Sequence, residues 1–281
     1  MKKPLPILAL FYLTLSCWPA LQAQGVQRNE PLPPGQGEAQ GTENRNRLDF
    51  NFSFERLLPN ESYGDWKSVS LGFFRRENPD LNWYTQVAGF DRQEGQAGYV
   101  SAGVTKNWTP WFYTFTAVGG GTRTSFLPNF RVDHDFNFKF GPARRLVGIA
   151  GGSYIDYWDE HSDFLLSAGL MAYVERWVFL YRLFHNESNP GSEGSFSHLG
   201  SIGYGQEGRH WTFLNFSFGK QAYLATNLAT PEAMRFNSTY VSLMHRHWLG
   251  PNWGVLGDVS AFWLRDAYDK YGGSLGFFRS F

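Results

Sequence analysis

The sequence predicts an all-β fold, a transmembrane antiparallel up-and-down β-barrel of about 14 strands, or 12 if two weak segments merge. Three observations predict it: an aromatic-rich composition with finely mixed polarity, period-two alternation in segments of about ten residues, and connections that alternate between short turns and longer polar loops.

Composition comes first. The 281 residues include 26 Phe, 14 Tyr and 11 Trp, and only 18% are charged, yet the mean hydropathy is below zero. Apolar and polar residues must therefore be interleaved, which strands do with their period of two. The formal net charge is zero, so no basic excess attracts nucleic acid and no acidic excess marks a solvating tail. No 18-residue apolar window interrupts the chain after its start, which excludes transmembrane helices there.

Alternation is clearest at Leu48 to Glu55. Leu48, Phe50, Phe52 and Phe54 take one face; Asp49, Asn51, Ser53 and Glu55 take the other. Phe130, Val132, Phe136, Phe138 and Phe140 alternate in the same way with Arg131, Asp133, Asp135, Asn137 and Lys139. Trp253, Val255, Val259, Ala261 and Trp263 oppose Gly254, Asp258 and Ser260. A membrane barrel turns the apolar face to lipid and the polar face to the lumen, and closure leaves no sheet edge for lipid to strand. The expected lumen-lining residues are thus Asp49, Asn51, Glu55, Arg131, Asp133, Asp135, Lys139, Arg182 and Asp258.

The connections give the third observation. Short turns are expected at Asn78-Pro79-Asp80, Thr109-Pro110, Gly141-Pro142-Ala143, Glu175-Arg176, Gln206-Glu207-Gly208 and Gly250-Pro251-Asn252. Trp83, Trp108, Trp111, Trp177, Trp211, Trp248 and Trp253 fall beside them, where an aromatic belt meets the membrane–water interface. Longer polar loops are expected at Pro59 to Asp65, Asn186 to Gly194 and Gln221 to Arg235.

Ahead of the barrel, residues 1–23 read as a secretory signal, with Lys2 and Lys3, an apolar Leu5 to Leu15, and cleavage after Ala23. Cys17 opens a lipoprotein alternative, but Thr14-Leu15-Ser16 fits a lipidation site poorly. Residues 24–46 are polar, with Pro and Gly, and read as a flexible linker; residues 47–281 form one domain. The terminal Phe281 shares a face with Leu275 and Phe277, resembling the signal read by the barrel assembly machinery, although Arg279 departs from that pattern.

Several segments together resemble the YaiO family of outer-membrane proteins. They are Ser125 to Asp133 leading into the Phe-rich strand, Gly152 to Tyr157, Tyr181 to Phe184 followed by Asn186 and Gly191-Ser192, and Trp211 to Tyr223. The resemblance runs over most of residues 47–281 and implies a bacterial outer-membrane barrel. It implies no established activity. Some relatives carry helical repeats ahead of the barrel and are linked to surface polysaccharide production; here the short polar linker stands in that place.

Other chemistry competes less well. His245 and His247 share a strand face and could chelate a metal, but an interfacial pair explains them equally. His198 with Ser195, Ser197 or Ser201, and His161 with Ser162 and Asp163, could be assembled into hydrolytic sets, yet no G-x-S-x-G elbow is present. Gly119-Gly120-Gly121 lacks the Lys-Ser/Thr of a phosphate loop and marks a bend or close approach instead. No catalytic residue, metal or cofactor is expected.

Three functions remain, in order: a channel for a small or oligomeric polar solute such as a saccharide, a closed structural or docking barrel, and an enzyme acting on lipid or lipopolysaccharide. The expected partners are membrane lipid and lipopolysaccharide, the barrel assembly machinery and polysaccharide export components, and not nucleic acid.

Overall fold

In a computed structural model the chain is described at residues 45–191, 193–222, 235–264 and 268–281. The signal, nearly all of the linker and most of the loop expected at Gln221 to Arg235 lie outside those residues. Fourteen antiparallel strands close into one barrel: β1 (Asn46–Leu58), β2 (Asp65–Asn78), β3 (Leu81–Arg92), β4 (Gly95–Thr109), β5 (Phe112–Gly121), β6 (Pro128–Phe140), β7 (Leu146–Tyr157), β8 (Ser162–Val174), β9 (Trp177–Asn189), β10 (Glu193–Gln206), β11 (His210–Ala222), β12 (Arg235–Gly250), β13 (Trp253–Leu264) and β14 (Tyr268–Ser280). Each strand pairs with its neighbours in sequence, and β1 pairs with β14 from Arg47↔Ser280 to Leu58↔Asp269. Asn46 and Phe281 exchange both backbone bonds, so the last residue is stitched to the first strand.

Alternation along each strand explains the wall. Leu48, Phe52, Phe54, Val69, Leu71, Val87, Phe136, Phe138, Leu166, Leu214, Leu243, Val259 and Leu275 are all exposed large apolar side chains. A water-soluble protein rarely leaves so much contiguous apolar surface uncovered; a barrel in lipid requires it. All six connections expected to be short are found, and they share one end of the barrel with Asn46 and Phe281. Three of them contain Pro as the first turn residue, and in each the strand before it bulges by one residue, at Glu77, Trp108 and Leu249. Proline cannot take the positive φ of the tightest hairpins, and a bulge supplies the extra twist instead.

The opposite end differs from expectation in one loop. Asn186 to Gly194 is not a long loop: β9 runs on to Asn189 and β10 begins at Glu193. Asn186 and Ser188 face inward there and bond to Asp163, so the ladder continues where polarity suggested a connection. The loop at Pro59 to Gly64 holds a single turn of helix, α1 (Asn60–Tyr63), which turns Tyr63 against Tyr268. The Gly119–Gly121 run closes β5, where Cβ atoms on Gly119 and Gly121 would run into Tyr99 and Leu127. Close approach is thus the reason for those glycines.

Candidate functional site in the barrel lumen

All nine residues named above as lumen-lining stand on the strand face opposite the exposed apolar side chains. They separate into three levels. At the turn end, Arg47 donates to Asp49 at 2.8 Å, and Arg246 reaches the other Asp49 oxygen at 3.3 Å from three strands away. Aromatic and aliphatic side chains line that end from β2 to β8: Phe74, Tyr84 and Phe115 stack in a row, and Tyr113, Val147, Ile149 and Met171 pack beside them. Lys139 sits 4.8 Å over the Tyr113 ring.

The middle level is polar. Arg131 donates to both oxygens of Asp133, and Ser153 donates to Asp133 at 2.6 Å. Arg182 on β9 grips Asp135 on β6 with two bonds, at 2.8 and 3.1 Å, and adds one to Ser167. Ser53 meets Ser68, Ser201 donates to Asn215, which donates to Ser242, and Ser274 donates to Asp258. Asn51 lies across from Gly276 on β14. Hydroxyls and amides that both give and take hydrogen bonds, with carboxylates that accept them, thus ring the centre of the lumen.

At the loop end, side chains from β1 to β3, β14 and the β5–β6 loop crowd together. Lys270 pairs with Glu55 at 2.9 Å and lies over Trp66. The Arg92 guanidinium is clamped between the rings of Trp66 at 4.0 Å and Phe126 at 4.4 Å. Its Nε and Nη1 atoms are buried without a hydrogen-bond partner, as are both carboxylate oxygens of Glu94 in the β3–β4 turn. Burial pushes the Glu94 carboxyl above the usual carboxylate range. Phe126 and Leu127, in the loop between β5 and β6, are wholly buried against Phe90, Ala97 and Tyr99. That loop folds into the barrel.

Sequence reasoning missed Arg47, Trp66, Arg92, Arg246 and Lys270. Arg246 carried a signal, because it alternates with His245 and His247; Arg92 and Lys270 sit on Gly-interrupted strands whose period is weak. The interfacial belt also needs correction. Trp108, Trp111, Trp177 and Trp253 are exposed as expected, and Trp83 shares their face, but Trp211 and Trp248 turn inward. Trp211 donates to Glu207, and Trp248 meets Phe278 edge-on. Nearness to a turn does not set a side chain's face; strand parity does.

Parity also dismantles one hydrolytic set. His198 faces outward and bonds Tyr181 at 2.7 Å, whereas Ser195, Ser197 and Ser201 face the lumen. In the other set Ser162 faces outward, and the buried Asp163 takes the middle place, receiving Ser188, Tyr157 and Asn186 with His161 at 3.4 Å. An acid between a serine and a histidine cannot relay the serine's proton to the base. Among the described residues no three His, Cys, Asp or Glu side chains converge to hold a metal ion.

Known proteins share this architecture. The YaiO membrane beta barrel domain matches residues 45–224. No curated protein matches. Among solved structures, the outer membrane protein Omp33 of Acinetobacter baumannii superimposes with a TM-score of 0.52 at 8% identity, covering 85% of this chain and 99% of that one. A bacterial polysaccharide outer membrane secretin gives 0.53 at 8% identity, with the same two coverages. Identity this low speaks to fold alone. The lipid-facing wall and the family match locate the chain in the bacterial outer membrane, and by its own sequence it belongs to the YaiO membrane β-barrel family.

Proposed function

We propose that this barrel is a gated channel for a small or oligomeric polar solute, with the β5–β6 loop as its gate. The observation that carries the reading is the complete burial of Phe126 and Leu127, on a connecting loop, inside the lumen. Fourteen strands enclose more space than their own inward side chains fill, and here a loop takes up part of the remainder. A lumen that admits a loop is wide enough to pass a solute once the loop leaves. Below the loop, the ring of Ser, Asn and carboxylate groups suits a hydroxyl-rich solute, such as a saccharide, whose groups both donate and accept.

The reading assigns no catalysis to the chain. Its partners follow from its place: lipid and lipopolysaccharide against the outer wall, the barrel assembly machinery reading β14, and polysaccharide export components if the solute is a saccharide. A second reading, a closed docking barrel, draws on the Arg182–Asp135 and Arg246–Asp49 pairs, which tie strands three apart across a nearly buried interior.

Single-channel conductance in a planar bilayer separates the two. Refolded protein, shown to be folded by its resistance to SDS until heated, is expected to give discrete steps. Asp133→Asn, which removes a lumenal carboxylate with 23% exposure, is expected to shift the ion selectivity away from cations. Silence from folded protein would leave the docking barrel.

A further inference from the structure

Six of the seven histidines, all but His161, point out of the barrel. Three of them meet at one place. His210 on β11 stands directly across from His247 on β12, and His245 follows two residues along the same face. The His210 and His245 ring centres are 6.2 Å apart and those of His245 and His247 are 5.8 Å apart, with the planes within about 20° of parallel. Thr212 meets Nδ1 of His245 at 2.8 Å, which fixes that ring. Among the described residues the ring nitrogens of His210 and His247 meet no hydrogen-bond partner.

The position decides what such a patch meets. It lies at the short-turn end, where β1 begins and β14 ends, the periplasmic side by the usual asymmetry of these barrels. Exposed Trp177 packs on Tyr204 at 4.8 Å, Tyr204 stands across from Thr212, and Thr212 across from His245. Trp253 is exposed on the next strand, so the histidines lie within the aromatic belt at headgroup depth. Among the described residues no three His, Cys, Asp or Glu side chains are placed to hold one metal ion. Each ring can instead offer an N–H outward, side by side. Facing them from neighbouring elements are the uncharged Tyr204, Gln206, Thr212, Val255 and Gly257, and the exposed Arg209 of the β10–β11 turn; Glu207 in that turn is engaged by Trp211.

We propose that His210, His245 and His247 form a binding site for the phosphate of a phospholipid in the inner leaflet of the outer membrane. The rings donate to the phosphate oxygens, Arg209 adds charge from the turn, and Trp177 and Trp253 hold the glycerol depth on either side. The site fixes the height of the barrel in the bilayer at this edge.

The test titrates the detergent-purified barrel with dioleoyl-phosphatidylglycerol and counts retained lipids by native mass spectrometry. The triple variant H210Q/H245Q/H247Q is expected to need about tenfold more lipid for the same retention, the scale of one or two lost charge-assisted hydrogen bonds. A second variant, H134Q/H185Q/H198Q, alters the same number of outward histidines away from this end and is expected to match the wild type. Dioleoylglycerol, which lacks the phosphate, is expected to be retained equally by all three. Equal phosphatidylglycerol retention by the wild type and the first variant, or equal loss in both variants, overturns the site. Heat-modifiability on SDS gels establishes that each variant is folded before it is scored.

Discussion

Arg182→Met is expected to lower the unfolding free energy by ~3–5 kcal/mol, read from urea unfolding in detergent micelles by tryptophan fluorescence. Arg182 crosses two strands to reach Asp135, and both side chains are nearly buried, at 9% and 13% exposure. The crossing has a lane cleared for it. Gly151 on β7 lies opposite Asp135, and Gly169 on β8 lies opposite Arg182; a Cβ on either would collide with the pair. Methionine fills most of the arginine's volume, so the expected loss comes from Asp135, left in the interior with no cation. Removing both partners differs in sign, because a buried pair replaced by packed apolar groups is often neutral. Asp135→Leu with Arg182→Met is therefore expected to regain most of the stability. Gly151→Val, which leaves both charges in place but blocks the lane, is expected to resemble the single variant. Unfolding of Arg182→Met at the wild-type urea midpoint would show the pair to be solvated, and with it the idea that it braces the wall would fail.

Much of this barrel is legible in the sequence because its physics is local. The alternation of β1 and β6 gives the face of every residue from Leu48 to Glu55 and from Phe130 to Phe140, since period two holds wherever a strand is regular. The Pro-bearing turns are legible for the same reason. What was not legible is set across strands. Asp135 and Arg182 read as sharing the lumen, but that they stand at one height depends on register summed over three pairings. The inward turn of Trp211 and Trp248 was readable by parity and was obscured by their nearness to turns. Phe126 and Leu127 were not readable at all: a six-residue connection has no period, and two apolar residues there fit an interfacial anchor as well as a plug.

That plug carries the largest functional effect. Substituting Phe126 and Leu127 by serine is expected to raise the single-channel conductance several-fold, with fewer closed intervals in the record. The two side chains are completely buried, and each fully buried side chain of this kind contributes ~1.5–3 kcal/mol relative to water. Among the described residues the loop's other ties are few: the Leu127 amide donates to Thr124 within the loop, and Thr122 exchanges two bonds with Gly98 at the rim. With serine at both positions the apolar drive vanishes, and ordering a loop across the lumen costs more than it returns. Arg92 then loses the Phe126 ring from one side of its clamp and gains water at its unpartnered nitrogens, so the open form is favoured twice over. The wall is untouched, because neither residue takes part in a strand ladder, and resistance to SDS is expected to persist. Arg92→Gln offers a check from the other side: it keeps the loop's apolar anchors but removes the cation stacked on Phe126, so a smaller rise is expected. Should the double serine variant fold and conduct no more than the wild type, the loop is packing and not a gate, and the ionic pairs beneath it become the barrier.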